Sequence, residues 1–349
     1  MRRPFVFLTA LSFGIVMLMP GLLGCGAGGG GGGATTATTV ATRPAADVIA
    51  GRAEKVLAST STTGDYAYNV ITGPVLAGKL ADPAQKDGIY IMDVRKAADY
   101  ERGHIAGAAQ VQLSRWASPD GIARLPRGKK IVVVSYTGNA AAQAAGGLRM
   151  LGYDAAVLKG GIAGWAQNEG QDETAKTFSV TSYPVGKTPS PEGFLPAPSK
   201  FAFDQPSAHD YPLLAGKAAV VAGGAPATGD YANNTITAAL LSQILAHSAQ
   251  RPYVLDIRQK SDFDKGHIEG AANIEFTAVA VPDNLAQLPR NRKIVVVSYT
   301  GAAAAQTVTV LRMLGYDAAL LQYGMMSWNG AGKDDYLKYI HSANCPLTR

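Results

Sequence analysis

Cysteine is nearly missing from this chain of 349 residues, which has two, Cys25 and Cys345. That excludes a disulfide framework and any cysteine-rich zinc or iron–sulfur site within the chain. No metal and no cofactor is implied. A dominant charge is missing too: 32 Lys and Arg stand against 26 Asp and Glu, a formal net charge of +6. The two signs are interspersed, and without a basic stripe carrying aromatics, no nucleic-acid partner is expected. Charged residues are 17% and aromatics 8%, but hydrophobic residues reach 47%, enough to bury real cores and to exclude a wholly disordered chain. The length suits two ordinary domains with tails. The 40 glycines cluster toward the N-terminus, which excludes a collagen-like repeat and marks a tether.

Arg2 and Arg3 precede the apolar run FVFLTALSFGIVMLM, which leads into Leu22-Leu23-Gly24-Cys25. A charged start and an apolar core are the layout of a secretory signal. The run is near the lower limit for crossing a bilayer, so an uncleaved anchor is the alternative. Leu-x-Gly-Cys resembles the bacterial lipobox, and the resemblance implies a signal peptide over 1–24, cleavage before Cys25, and a lipid on its sulfur. The membrane is then a partner through lipidated Cys25. Either reading puts the domains on the periplasmic or extracytoplasmic face. Gly26 is not the aspartate that retains some lipoproteins at the inner membrane, which leaves the outer membrane open as a destination. Residues 25–47 are rich in Gly and Thr and have little to bury. As a flexible tether of roughly 20 residues they reach roughly 25 Å from the bilayer. A phosphate loop is rejected there, since no strand precedes the glycines and no lysine follows at the required spacing.

The segment DVRKAADYERGHIAGAAQ at Asp93 returns as DIRQKSDFDKGHIEGAAN at Asp256. KIVVVSYTG at Lys130 returns at Lys293, LRMLGYDAA at Leu148 at Leu311, and Trp165 as Trp328, all at one offset. More than half of the positions from Asp93 to Trp165 are identical in the second copy. The period is far longer than that of solenoid repeats, so each copy is expected to be a domain, the first over 48–180 and the second over 212–349. The Pro-rich stretch 181–211 reads as an extended linker. Its Gly186-Lys187-Thr188 is not a phosphate loop, because no glycine lies five positions earlier.

Ile89 to Val94, Ile131 to Val134 and Ala155 to Leu158 are apolar runs of buried-strand length. Ala140 to Leu151 reads as a helix closed by Gly152. Strand, helix, strand in this order predicts an α/β fold, a mostly parallel sheet covered by helices on both faces.

Together these blocks resemble the rhodanese family. The likeness rests on Asp93-Val94-Arg95, Asp99-Tyr100, Gly103-His104-Ile105-Ala106-Gly107-Ala108, the VVV strand with its loop and helix, and Gly160-Gly161-Ile162 through Trp165. It recurs at Asp256-Ile257-Arg258, Asp262-Phe263, Gly266-His267-Ile268-Glu269-Gly270-Ala271 and Trp328. The resemblance implies two rhodanese-like domains and a sulfurtransferase ancestry, in which a loop cysteine takes sulfur from a donor such as thiosulfate and passes it on as a persulfide. In this chain the loops are Ser135-Tyr136-Thr137-Gly138-Asn139-Ala140 and Ser298-Tyr299-Thr300-Gly301-Ala302-Ala303, with serine at the cysteine position in both and no Arg or Lys to hold a donor. A hydroxyl forms no persulfide and ionises far above neutral pH. Sulfur transfer is therefore not expected through these loops.

What the loops are expected to keep is an anion cradle of backbone N–H groups at a helix N-terminus, for a small oxyanion or an envelope protein. The plain alternative is that each loop only caps its helix. A serine hydrolase would need a base, and the shared histidines, His104 and His267, are implied by the resemblance to be structural at a turn. Asp93 with Arg95 and Asp256 with Arg258 are expected as structural ion pairs or helix caps, and Trp165 and Trp328 as core. The competing function is a thiosulfate sulfurtransferase at the periplasm or cell surface working through Cys345 or by an unorthodox route, although Cys345 reads as a surface thiol or an intermolecular link. Replacing Cys25 by Ser is expected to release the protein from the membrane fraction or leave it unprocessed. Fractionation and gel mobility check this, and unchanged anchoring and processing overturn the lipobox reading.

Overall fold

The computed structural model describes residues 43–166 and 206–329. Cys25, the signal segment, Cys345 and most of the tether and linker lie outside the described residues. Among the described residues, no helix is long and apolar enough to cross a membrane.

In the first repeat, strands β1 (Val70–Ile71), β2 (Ile89–Asp93), β3 (Ala109–Gln110), β4 (Lys130–Val134) and β5 (Ala155–Leu158) form a sheet of order β1-β5-β4-β2-β3. The second has β6 (Thr235–Ile236), β7 (Tyr253–Asp256), β8 (Ala272–Asn273), β9 (Ile294–Val297) and β10 (Ala318–Leu321) in the matching order β6-β10-β9-β7-β8. Every pairing is parallel. The helices of the first repeat are α1 (Ala45–Ala58), α2 (Gly73–Ala81), α3 (Pro83–Lys86), α4 (Ala97–Arg102), α5 (Pro119–Ala123) and α6 (Asn139–Met150). Those of the second are α7 (Tyr211–Gly223), α8 (Ala238–His247), α9 (Lys260–Lys265), α10 (Pro282–Gln287), α11 (Ala302–Met313) and α12 (Met325–Trp328). The expected strands appear as β2, β4 and β5, and the expected helix as α6. The start of α1 at Ala45 lies inside the segment read as tether.

The continuous apolar strands are buried on both faces, as parallel sheets require. Side chains alternate across β4, so Ile131 and Val133 enter one core while Val132 and Val134 enter another with Ile91, Leu158 and Trp165. β9 divides the same way: Ile294 and Val296 join the core of Ile131 and Val133, and Val295 and Val297 pack with Phe263 and Trp328. One continuous core thus lies between the two sheets, and each repeat has a further core on its outer face.

Two helices fill the middle of the shared core. α6 (NAAAQAAGGLRM) and α11 (AAAAQTVTVLRM) are buried almost all round, and their small residues bring the backbones close. A Cβ at Gly146 would stand 2.8 Å from Gln306 Cα. Gln306 and Gln143 hold corresponding places in the two helices, and each reaches into the opposite repeat. Gln306 Nε2 donates to Tyr68 O at 2.9 Å, and its Oε1 accepts from Asn69 Nδ2 at 2.8 Å. Gln143 Nε2 donates to Asn233 O at 2.9 Å, and its Oε1 accepts from Asn234 Nδ2 at 3.2 Å. Gln306 is buried and Gln143 half-buried, and these amide bonds fix the register of the two repeats.

The first helix of each repeat leans on the other. α1 packs on the turn Phe276–Ala278 and α7 on the turn Leu113–Arg115. Arg127 stacks on both Tyr153 of its own repeat, at 4.4 Å, and Tyr211 of the other, at 5.0 Å. The copies therefore share elements instead of standing as separate globules. Gly146→Val is expected to lower stability by about 1–3 kcal/mol through overpacking against α11. Urea denaturation should show one transition at a lower midpoint. An unchanged midpoint, or two separate transitions, contradicts the shared core.

Candidate functional site

In each repeat the central strand ends in the loop singled out from sequence, and the loop feeds the long buried helix. β4 passes through Ser135–Ala140 into α6, and β9 through Ser298–Ala303 into α11. Ser135 and Ser298 are buried. Ser135 Oγ accepts from the amides of Gly138 (3.0 Å) and Ala141 (3.2 Å). Ser298 Oγ accepts from those of Gly301 (3.0 Å) and Ala304 (3.3 Å). Each hydroxyl accepts from the N-cap glycine and from one first-turn donor that a helix otherwise leaves open. The capping role expected as the plain alternative is thus present.

The turn after β5 supports the loop from beneath. Gly161, at φ +60°, lies so close that a Cβ there would collide with the Ser135 carbonyl, and Ile162 N donates to that carbonyl at 2.8 Å. Gly324 (φ +56°) and Met325 N repeat the arrangement under Ser298. This close approach accounts for the shared glycine before Ile162 and Met325.

A tyrosine latch holds the loop from the side. Tyr136 Oη donates to Asp99 Oδ2 and accepts from Lys96 N at 3.3 Å. Tyr299 Oη donates to Asp262 Oδ2 at 2.6 Å and accepts from Gln259 N at 3.3 Å. Burial, then the bond to Asp99, pushes the Tyr136 hydroxyl up to about 12. The same causes raise Tyr299. The Tyr136 bond in turn holds the Asp99 carboxyl below its usual range. Sequence reading had Asp99 and Asp262 only as motif positions, and their pairing with the loop tyrosines needed the fold.

Asp93 and Arg95 form a buried ion pair, with Arg95 Nη2 at 2.7 Å from Asp93 Oδ2 and also donating to Gly103 O at 2.8 Å. Asp256 and Arg258 match it at 2.7 Å, with Gly266 O the second acceptor at 2.8 Å. Each aspartate also accepts from the arginine's own amide, at 3.0 Å. The ion-pair expectation holds; the helix-cap alternative does not, because the following helices start without a side-chain cap. His104 Nδ1 lies 2.9 Å from Tyr100 O, with its ring stacked on Tyr100 at 3.8 Å. His267 does the same with Phe263. A carbonyl only accepts, so Nδ1 carries the proton in each. The serine oxygens thus accept from amides, and the histidine Nδ1 atoms donate to carbonyls. Trp165 and Trp328 are buried, as expected. Among the described residues, no cluster of potential ligands suits a metal ion.

The two loops meet at the repeat junction. A Cβ at Gly301 would stand 2.8 Å from Asn139 Oδ1 of the opposite loop. The Ser298 loop also borders a cavity of about 400 Å³ whose far wall belongs to the first repeat, a size suited to a small ligand. Ser298, Tyr299 and Thr300 line it from one side, and Tyr68, Val70 and Lys159 from the other. Phe276 adds to the wall and meets Tyr68 edge to face, with ring centroids 6.0 Å apart. Burial lowers the Lys159 ammonium below its usual range. The sequence did not single out Tyr68, Lys159 or Phe276. The signal available was that they differ between the repeats, standing opposite Asn233, Gln322 and Leu113.

Two parallel sheets covered by helices, each delivering a supported strand–loop–helix turn at its center, define a tandem α/β protein. The Rhodanese-like domain model matches residues 76–168 and 237–331, more than half of the chain, and the chain belongs to the rhodanese-like family. It is similar to the "Probable adenylyltransferase/sulfurtransferase MoeZ" of Mycobacterium tuberculosis, at 34% identity over 93 residues, 26% of this chain and 24% of that protein. The chain therefore spans about a quarter of that relative's length. A rhodanese-like domain protein from Staphylococcus aureus is 28% identical, covering 28% of this chain and 93% of its own, with a TM-score of 0.26. A thiosulfate sulfurtransferase from Pseudomonas aeruginosa is 15% identical, covering 86% of this chain and 50% of its own, with a TM-score of 0.28.

The latch carries a pH signature. A tyrosine whose folded value is raised stabilises fully below its unfolded value near 10, and that contribution is lost as pH rises through about 12. Tyr136→Phe is expected to cost about 1 kcal/mol at pH 7, with the gap to the parent closing between pH 10 and 12. Urea unfolding of both proteins across this range measures it, and a gap that stays constant removes the latch.

Proposed function

We propose that this protein is a rhodanese-like binding module, exported and held at the cell envelope by a lipid on Cys25, and that its loops bind a ligand instead of carrying sulfur. The observation that carries the reading is serine at both loop positions. Transfer requires a thiolate that takes sulfane sulfur, releases sulfite from thiosulfate and then yields the sulfur to an acceptor. A hydroxyl does none of this near neutral pH. The two cysteines, Cys25 and Cys345, both lie outside the loops. The ligand expected at such a loop is anionic, and the cavity beside Ser298 gives it room. The sulfurtransferase named for the relatives is the activity this reading denies to the loops.

The test is thiosulfate-to-cyanide transfer by the full chain beside Ser298→Cys and Ser135→Cys. The parent is expected to be inert. A thiol at 298 would receive the amides of Gly301 and Ala304, which favour the thiolate, and thiocyanate formation should appear. Turnover by the parent contradicts the proposal and makes Cys345 the next residue to replace.

A further inference from the structure

At the strand ends opposite the loops, the second repeat concentrates positive charge. β7 and β9 start side by side. The run Pro289-Arg290-Asn291-Arg292-Lys293 leads into β9, and Arg251 precedes β7. Arg251, Arg292 and Lys293 line one concavity with Gln250, Gln287 and Asn291. Arg251, Arg290 and Arg292 are exposed. Acids are fewer here: Asp317 is shared by Lys293 at 2.6 Å and Arg312 at 3.4 Å, and Asp230 lies near Tyr231. Arg292 and Arg290 are braced on rings instead of carboxylates, over Tyr253 at 5.4 Å and Tyr316 at 4.1 Å. The first repeat is less basic at the start of its matching strand. With Tyr90 in register with Tyr253, Asp87-Gly88 stands where the second repeat has Gln250-Arg251.

The chain enters the fold at this same end. α1 begins at Ala45, and Ala45 and Asp47 line a pocket with Arg290, Tyr316 and Lys217 of α7. Lys217 is exposed as well. The Gly- and Thr-rich stretch from Cys25 to Arg43, roughly 20 residues with a reach of roughly 25 Å, therefore joins the fold beside the basic run. A lipid on Cys25 keeps this end of the second repeat close to a bilayer, and the Ser298 loop lies at the other end of β9.

We propose that the basic end of the second repeat is a docking surface for an anionic phospholipid bilayer, whose phosphate groups meet Arg251, Arg290, Arg292 and Lys217. Each cation within a screening length of such a surface strengthens binding roughly fivefold. An acidic protein matches the same charge, but the tether brings the bilayer to this face at high local concentration. The docked protein holds the Ser298 loop clear of the lipid. The inference rests on the reading of Cys25 as a lipid anchor and adds the face that the protein turns to the membrane.

The test uses the protein purified from membranes and reconstituted into vesicles of phosphatidylcholine, alone or mixed with phosphatidylglycerol. Phenylglyoxal, a neutral reagent for guanidinium groups, is followed residue by residue by mass spectrometry. Labelling of Arg251, Arg290 and Arg292 is expected to slow roughly fivefold or more in the phosphatidylglycerol vesicles. The difference should vanish in about 1 M salt, where the screening length is about 3 Å. Arg102, exposed at the loop end of the first repeat, should label equally in both. In the double variant Arg251→Gln, Arg292→Gln, with folding checked by the melting temperature, Arg290 should label nearly as fast as in phosphatidylcholine. Equal rates at Arg251, Arg290 and Arg292 in the two vesicles overturn the docking face and leave the lipid anchor standing. Slowing that includes Arg102, or that survives salt, also overturns it. A chain that carries no lipid on Cys25 overturns the anchor and the docking face together.

Discussion

The close contact of α6 with α11 is the constraint on which the rest of the molecule depends. Both helices are built from alanine, glycine and other small residues along the contact, so that the backbone of one nearly touches the other at Gly146 and Gln306. Small side chains bury little area each, and the gain comes from dense packing across the whole contact. The contact merges the inner faces of the two sheets into one core. It also places Gln143 and Gln306 where each secures the left-handed turn of the opposite repeat. The turn at Tyr68 lines the cavity beside the Ser298 loop, so the interface that stabilises the protein also shapes that cavity.

Duplication gave the molecule two copies of one loop, and the shared parts explain its stability. The serine hydroxyl caps the helix, the glycine beneath admits the supporting turn, the tyrosine latch fixes the side, and the aspartate–arginine pair and stacked histidine order the motif after β2 or β7. Each recurs with nearly the same geometry in both repeats. Function is better sought where the copies differ. The walls around the Ser298 loop depart from their counterparts toward aromatic and cationic chemistry, without disturbing the bonds that the backbone makes there.

The loop serines show why a residue read as a lost catalyst can still be well placed. An oxygen at that position accepts the amide of the N-cap glycine and one of the first helical turn, which a buried helix start leaves open. Serine there supplies that acceptor in both repeats. The position stays ordered and buried although its chemistry differs.

Much of this was legible in the sequence because it is local or periodic. Apolar runs of strand length, the alanine-rich segment ending before Gly152 and the returning blocks gave the α/β fold, the duplication, both loops and the absence of loop cysteine. The ion pairs of Asp93 with Arg95 and of Asp256 with Arg258 were among the expectations at the strand ends, and the structural role of His104 and His267 was implied by the family resemblance. The tertiary structure decided what depends on contacts between distant segments: the shared core, the leaning of α1 and α7 on opposite repeats, the pairing of Tyr136 with Asp99, and the cavity that brings Tyr68 and Lys159 to Ser298. Hydrophobic period and turn chemistry act over a few residues, so the chain states them outright. Which surfaces meet is settled only when two copies of the same helix find that they pack closest against each other.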